Sequence, residues 1–509
     1  MRRNFAVLIL IPIWLIAAGT PAQGSPVEQW VEARSSHFVV LTNSNEKDAV
    51  RVASQFERMR MVFRTLLPTS DDDSSAPIMV LAVKDRKSLQ TLEPEAYLAK
   101  NQMDLAGFFL RSADKNYILL RLDAQQGHAY STVYHEYTHY MLRKADNWLP
   151  LWLNEGLAQF YENTDMDDKT AWLGEANADE LQYLKRNDLL PIETLLAVDA
   201  KSPYYHDEEK GSMFYAESWA LTHYLIVSDR VQGTHRVHDY AELLAEGVDS
   251  VTAALTVFGD LSKLQNGLSE YVMQRKFMYF MMPAQPAAKD ATLEVRAVSS
   301  LEADAVRADF MLYTGRVQDA RALAERVLRD APENALAQET MGLLSYREGD
   351  FAGARSWFDA ALALDSKSYL ANYYSAMLAL RSGDKDDDGR IEAGLNAAIR
   401  LNPEFAPAYD TLAMLYASRH RRLDEAHALN LRAVALEPGR LGYRLNCAEV
   451  LSQQRQFAEA LGELQEAMRL AKTSLEIEAV ANRVARVERY QTAMTTASVQ
   501  VGGEIVSGQ

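Results

Sequence analysis

The chain has 509 residues, 48% of them hydrophobic and 24% charged, which is ordinary for a globular protein and long enough for about two to four domains. A formal net charge of −17 argues against a general nucleic-acid or anionic-membrane surface. The single cysteine, Cys447, excludes an intramolecular disulfide, so packing and any bound metal must carry stability.

Residues 1–22 read as a secretory signal peptide. Arg2 and Arg3 precede the apolar stretch Phe5 to Ala18, and Thr20-Pro21-Ala22 offers small residues at cleavage positions. The apolar run is interrupted by Pro12 and is shorter than the roughly 20 residues a spanning helix needs. The expectation is a secreted or periplasmic protein with no integral membrane span after cleavage.

Residues 25–130 mix strands and helix. His37 to Leu41 and Ile78 to Val83 are short β-rich runs, and Glu46 to Leu67 between them has helical patterning that ends at Pro68. Gly107 to Leu110 and Tyr117 to Leu122, joined by a turn at Asp114-Lys115-Asn116, predict a hairpin.

The next segment carries the chemistry. His135-Glu136-Tyr137-Thr138-His139 lies in a stretch, Ser131 to Lys144, of helical patterning, with Ser131 as the expected N-cap. Residues four apart on a helix share a face, so His135 and His139 can share one tetrahedral zinc ion. Glu136 sits beside them, suited to take a proton from water on the metal. A second helix is expected from Leu149-Pro150, because proline is favoured in the first turn, and it brings Glu155 back toward the histidines. Two imidazoles and one carboxylate leave a fourth position open, the catalytic rather than the structural pattern.

At these residues the chain resembles the gluzincin metallopeptidases. The resemblance lies in the His-Glu-x-x-His helix and the run Trp152-Leu153-Asn154-Glu155-Gly156-Leu157-Ala158, and it is nearest to the peptidase-MA-like branch, over roughly residues 35–225. It implies an α+β gluzincin-like metallopeptidase domain, Zn²⁺ on His135, His139 and Glu155, and Glu136 as general base. The interval from His139 to Glu155 is shorter than in aminopeptidases, and the Gly-x-Met-x-Asn segment that holds a substrate amino terminus there is missing. By the same resemblance, a hairpin strand leading to the metal helix edges the cleft and pairs with an extended substrate. Tyr215, within Gly211 to Leu225, would donate a hydrogen bond to the oxyanion, with His223 in reserve. Gln159 would orient a ligand histidine, and His206 would lie close by on a loop.

Residues 131–282 are therefore expected to form the helical part of the catalytic domain, and 283–298, with Pro283 and Pro286, a linker. Beyond it a period appears. Gly315-Arg316-Val317-x-x-Ala320 and Gly349-Asp350-Phe351-x-x-Ala354 match, as do Arg421-Arg422-Leu423-x-x-Ala426 and Arg455-Gln456-Phe457-x-x-Ala460. This resembles the tetratricopeptide family and predicts an all-α solenoid over 299–485 that binds protein. Asp384 to Gly389 imitates the start of a calcium loop, but Leu395 stands where the bidentate Glu belongs. Residues 491–509 are expected to be a disordered tail.

The sequence thus predicts a secreted zinc metallopeptidase acting on a peptide or protein substrate, with a repeat domain for a protein partner. The alternative is a non-catalytic periplasmic scaffold of repeats carrying a metallopeptidase-like domain.

Overall fold

The computed structural model describes residues 28–66, 76–94, 106–112, 114–124, 130–144, 149–167, 169–199, 201–206, 208–283, 293–383 and 387–503. The expected signal segment, residues 1–22, lies outside the described residues. Among the described residues no helix is long and apolar enough to cross a membrane.

A mixed six-stranded sheet organises the N-terminal half. It comprises β1 (Trp30–Arg34), β2 (Phe38–Thr42), β3 (Ile78–Val83), β4 (Gly107–Arg111), β5 (Asn116–Arg121) and a late strand, Glu294–Val298. A small second sheet holds β6 (Asp165–Met166), β7 (Thr170–Leu173) and β8 (Phe280–Pro283), which makes the late strand β9. The order in the large sheet is β4-β5-β3-β2-β1-β9, with β2/β3 and β3/β5 parallel. β9 pairs antiparallel with β1, Val31 opposite Ala297. The expected linker over 283–298 is therefore corrected: residues 294–298 extend the six-stranded sheet, and 284–292 lie outside the described residues.

Both faces of this sheet are covered, which explains why its inner strands are nearly continuous apolar runs rather than alternating ones. Successive side chains point to opposite faces. Val40, Val80, Ile118 and Leu120 share a core with Phe56 and Phe63 of α1 (Glu46–Leu66). Leu41, Leu81, Val83 and Leu119 pack instead in a core with Phe310 and Met311, which belong to the repeats. Helix α2 (Arg86–Gln90) follows β3, with Asp85 capping its start by accepting from the Ser88 N–H.

The site helices come next, α3 (Ser131–Lys144) and α4 (Leu151–Glu162). Hydrogen bonding in α3 begins from the Tyr130 carbonyl to the Tyr134 N–H at 2.8 Å, so Ser131 is the first helical residue and not the N-cap. Helices α5 (Ala178–Arg186), α6 (Ile192–Ala197), α7 (Pro203–His206), α8 (Glu208–Gln232), α9 (Arg236–Ala245), α10 (Ser250–Phe258) and α11 (Leu261–Val272) complete this half. α8 is its long central member. Gly156 lets α4 lie directly on it, because a Cβ there would stand 2.1 Å from Thr222 Oγ1 and 2.4 Å from the Ser218 carbonyl.

The C-terminal half is an array of tetratricopeptide-like helical hairpins. The pairs are α12 (Ser300–Tyr313) with α13 (Val317–Asp330), α14 (Ala335–Arg347) with α15 (Phe351–Ala363), and α16 (Tyr369–Ser382) with α17 (Asp388–Leu401). Then come α18 (Ala406–Ser418) with α19 (Leu423–Leu436) and α20 (Leu441–Gln453) with α21 (Phe457–Leu470). Ser299 starts the array with a capping box, exchanging hydrogen bonds with Glu302. Within a hairpin, small positions face large ones; a Cβ on Gly342 would come 2.9 Å from the Phe358 ring.

Two expectations change here. The tail does not begin at 491, since α22 runs Ser474–Gly503, with Val480 and Val487 buried against the last hairpin. Residues 504–509 lie outside the described residues. The calcium-like stretch, of which 384–386 also lie outside them, is used otherwise. Asp387 pairs with Arg355, Asp388 with Arg419 at 2.8 Å, and Leu395 is fully buried.

The two halves share a buried polar junction as well as the sheet. The turn between β4 and β5 inserts into the repeats, where Lys115 Nζ lies 2.6 Å from Asp309 Oδ2 of α12. The Tyr117 hydroxyl donates to the same carboxylate. Tyr374 donates to Asp114 Oδ1 at 3.1 Å, and Tyr369 to the Asp114 carbonyl.

Candidate metal centre

Tertiary packing of α4 against α3 brings together the donors that the sequence keeps apart. His135 Nε2 lies 3.2 Å from His139 Nε2. Glu155 Oε2 lies 3.5 Å from the first and 3.4 Å from the second. Two ligands each about 2.0–2.1 Å from a tetrahedral ion sit roughly 3.3–3.4 Å apart, so this near-equilateral triangle is the size such an ion needs.

The far side of each imidazole is also held. His135 Nδ1 is 3.0 Å from Glu162 Oε2, and His139 Nδ1 is 2.5 Å from Asn154 Oδ1. Neither oxygen carries a proton to give when Glu162 is ionised, so both Nδ1 atoms donate outward and both Nε2 atoms face the shared point. Besides each other on α3, the two histidines have Asn154, Glu155 and Glu162 as partners, all on α4. Glu155 and Glu162 are two helical turns apart, which places both on one side of α4.

The electrostatics follow from burial and from this pairing. Burial opposes charge on His135, but Glu155 and Glu162 outweigh it and raise the imidazole to about 10. Burial likewise opposes charge on Glu155, yet the two histidines pull its carboxyl down to about 2. A nucleus of two imidazoles and one ionised carboxylate is a nitrogen–oxygen donor set that suits zinc.

The other expected residues divide. Glu136 lines the same cavity as His135, His139 and Glu155. Tyr215 lines it too, half-buried on α8, and burial together with the Glu155 charge raises its phenol. Tyr205 of α7 shares a hydrogen bond with Tyr215 and stands 3.5 Å from Glu155 Oε1. Tyr205 falls where a loop was expected around His206, and it is the short helix α7 that turns it toward Glu155.

Three expectations are corrected. His223 is not in the site: it is fully buried, with Nδ1 2.6 Å from the Tyr271 hydroxyl and Nε2 2.9 Å from the Gly174 carbonyl. Gln159 does not orient a histidine; its amide nitrogen donates to Glu180 at 3.3 Å, and Glu162 and Asn154 hold the rings instead. The strand that edges the sheet is β4, since β5 lies between β4 and β3. The His206 side chain lies outside the described residues.

The cavity into which these groups open has a volume of about 1870 Å³. One side is the α3–α4 pair with Tyr205 and Tyr215. The other side is made by the repeats, including Tyr369, Phe405, Arg440 and Lys472.

A family model described as "Protein of unknown function (DUF1570)" matches residues 129–244, the stretch that contains every one of these candidate donors. No curated protein matches the chain. Solved structures similar to part of the chain include "YrrB: a TPR protein with an unusual peptide-binding site", 17% identical, covering 35% of this chain and 90% of its own, TM-score 0.31. TTC0263, a thermophilic TPR protein from Thermus thermophilus, is 23% identical over 36% of this chain and 99% of its own, TM-score 0.29. The MamA protein is 20% identical over 34% of this chain and 93% of its own, TM-score 0.29.

Proposed function

We propose that the chain is an exported, zinc-dependent metallopeptidase of gluzincin type whose repeats bind protein. One observation carries the reading: three donor atoms, contributed by His135, His139 and Glu155, stand 3.2–3.5 Å from one another, with the Glu136 carboxylate on the same cavity. A zinc ion held there would supply Lewis acidity and make water nucleophilic near neutral pH.

The rest is work for the chain's own groups. Glu136 takes a proton from the attacking water and delivers it to the departing amine nitrogen. Tyr215 turns its hydroxyl proton from the Tyr205 oxygen to the carbonyl oxygen as the latter gains negative charge. Glu162 and Asn154 keep the two imidazoles turned with Nε2 inward. Export rests on the signal-like residues 1–22.

The test pairs metal analysis with hydrolysis. Glu136→Gln should retain zinc while losing cleavage of a peptide library by several orders of magnitude. Equal cleavage by both proteins would remove the assignment, and so would absence of zinc from protein prepared without chelators.

A further inference from the structure

The repeats reach the cavity through the turns that join one hairpin to the next. Leu336, Leu370, Glu404, Pro438 and Lys472 are each 34 residues apart, and all five line it. Each lies at or beside the turn between one hairpin and the next, so stacking of the hairpins sets those turns in a row along the wall opposite the metal centre. At about 1870 Å³ the cavity exceeds the roughly 300–1,000 Å³ of small-molecule sites, which fits a stretch of polypeptide.

The charge on this wall departs from that of the whole molecule. Lys367, Arg432, Arg440 and Lys472 stand on it against two carboxylates, Glu404 and Glu437, in a chain of formal net charge −17. Asp309, also on the repeat side, is neutralised by Lys115 at 2.6 Å. The partners of Lys367 and Arg440 are exposed ions, Asp365 at 2.6 Å and Glu437 at 4.0 Å, and such pairs exchange for a ligand carboxylate at small cost. The metal end of the same cleft carries Glu136 and Glu155. A polyanion with a charge on every unit would therefore be repelled there, whereas a polypeptide can be acidic at one end only.

We propose that the row of inter-repeat turns recognises an acidic segment of an extended polypeptide, and that the chain held by the repeats is the same chain presented to the metal centre. The second clause rests on the hydrolase reading; the first does not.

The experiment uses full-length protein carrying Glu136→Gln and two fluorescein-labelled peptides, one rich in Asp and Glu and one with Lys at those positions. Anisotropy should give about tenfold tighter binding of the acidic peptide, diminishing as salt screens the wall. Adding Arg440→Glu and Lys472→Glu, two exposed positions, should abolish or invert that preference, with circular dichroism confirming an unchanged fold. Removing metal with a chelator should leave the affinity within about twofold, because the wall is not the metal site. Equal binding of the two peptides would overturn the proposal, as would a preference unaffected by the charge reversal. So would a single-stranded oligonucleotide that binds more tightly than the acidic peptide. If acidic preference holds while Glu136-bearing protein cleaves nothing, the hydrolase reading alone falls.

Discussion

Lys115 and Asp309 form an ion pair at 2.6 Å although 194 positions separate them, and the Asp309 side chain is completely buried. One residue belongs to the β4–β5 turn of the six-stranded sheet, the other to the first helix of the repeats. Together with β9 and the shared apolar core, they make the two halves one packed body around the cleft.

That pairing predicts a specific instability. Lys115→Met leaves a buried carboxylate with only the hydroxyls of Tyr117 and Thr340 for company. The expected loss is about 3 kcal/mol, at the low end for a broken buried pair because Lys115 is partly exposed. Urea unfolding should show it, and Lys115→Met combined with Asp309→Asn should recover part of the loss. A single variant as stable as the parent would mean the pair contributes nothing to joining the halves.

Gly156 should be intolerant of even a methyl group. Its Cβ would stand 2.1 Å from Thr222 Oγ1, so Gly156→Ala must push α4 away from α8. The expected cost is about 1–3 kcal/mol, with zinc affinity falling because Glu155 is the adjacent residue. Gly389→Ala is the matched control: nothing lies within 4 Å of that position, and it should keep or slightly raise the melting temperature.

The groups behind the histidines should tune metal affinity. Glu162→Gln keeps an acceptor for His135 Nδ1 but removes its charge, so zinc binding should weaken about tenfold, and Glu162→Leu up to about a hundredfold. Competition against a chromogenic chelator measures both. Affinities within twofold of the parent would show that Glu162 plays no part in holding the ring.

Glu217 makes a prediction about pH. It is fully buried, accepts the Leu190 N–H at 2.8 Å, and leaves Oε1 without a hydrogen-bond partner among the described residues. Burial raises its carboxyl to about 8. The folded state therefore holds this proton more tightly than the unfolded chain, where the carboxyl titrates near 4.5. Its stabilising effect is complete below about pH 4.5 and is lost as pH rises through 8. Glu217→Gln keeps the acceptor and removes the titration, so it should be the more stable protein above pH 8, by on the order of 5 kcal/mol. Melting curves of the two proteins that run parallel from pH 5 to 9 would contradict this.

The shared face of the two histidines and the repeat hairpins were legible without coordinates, because both are carried by local spacing. An i, i+4 pair of histidines shares a helix face whatever surrounds it, and a 34-residue recurrence of small and large positions builds a helical hairpin wherever it occurs. The pairing of His135 with His139, the hairpin of β4 and β5, and the start of the repeats near Ser299 were all readable in this way. The continuous apolar runs Phe38 to Leu41 and Ile78 to Val83 carry a further signal: strands without alternation need cover on both faces.

What remained depends on contacts between distant segments, for which periodicity supplies no information. A tyrosine on an aromatic-rich helix and a histidine eight residues later look equally available in sequence, yet Tyr215 lines the cleft while His223 is enclosed by Tyr271 and Gly174. Glu162 and Asn154 meet their histidines only because α4 lies against α3 in one register. β9 looked like linker because the strand it pairs with, β1, is more than 250 residues away. Spacing along the chain settled which residues share a helix face; the packing of helix on helix and repeat on sheet decided which of those faces meet.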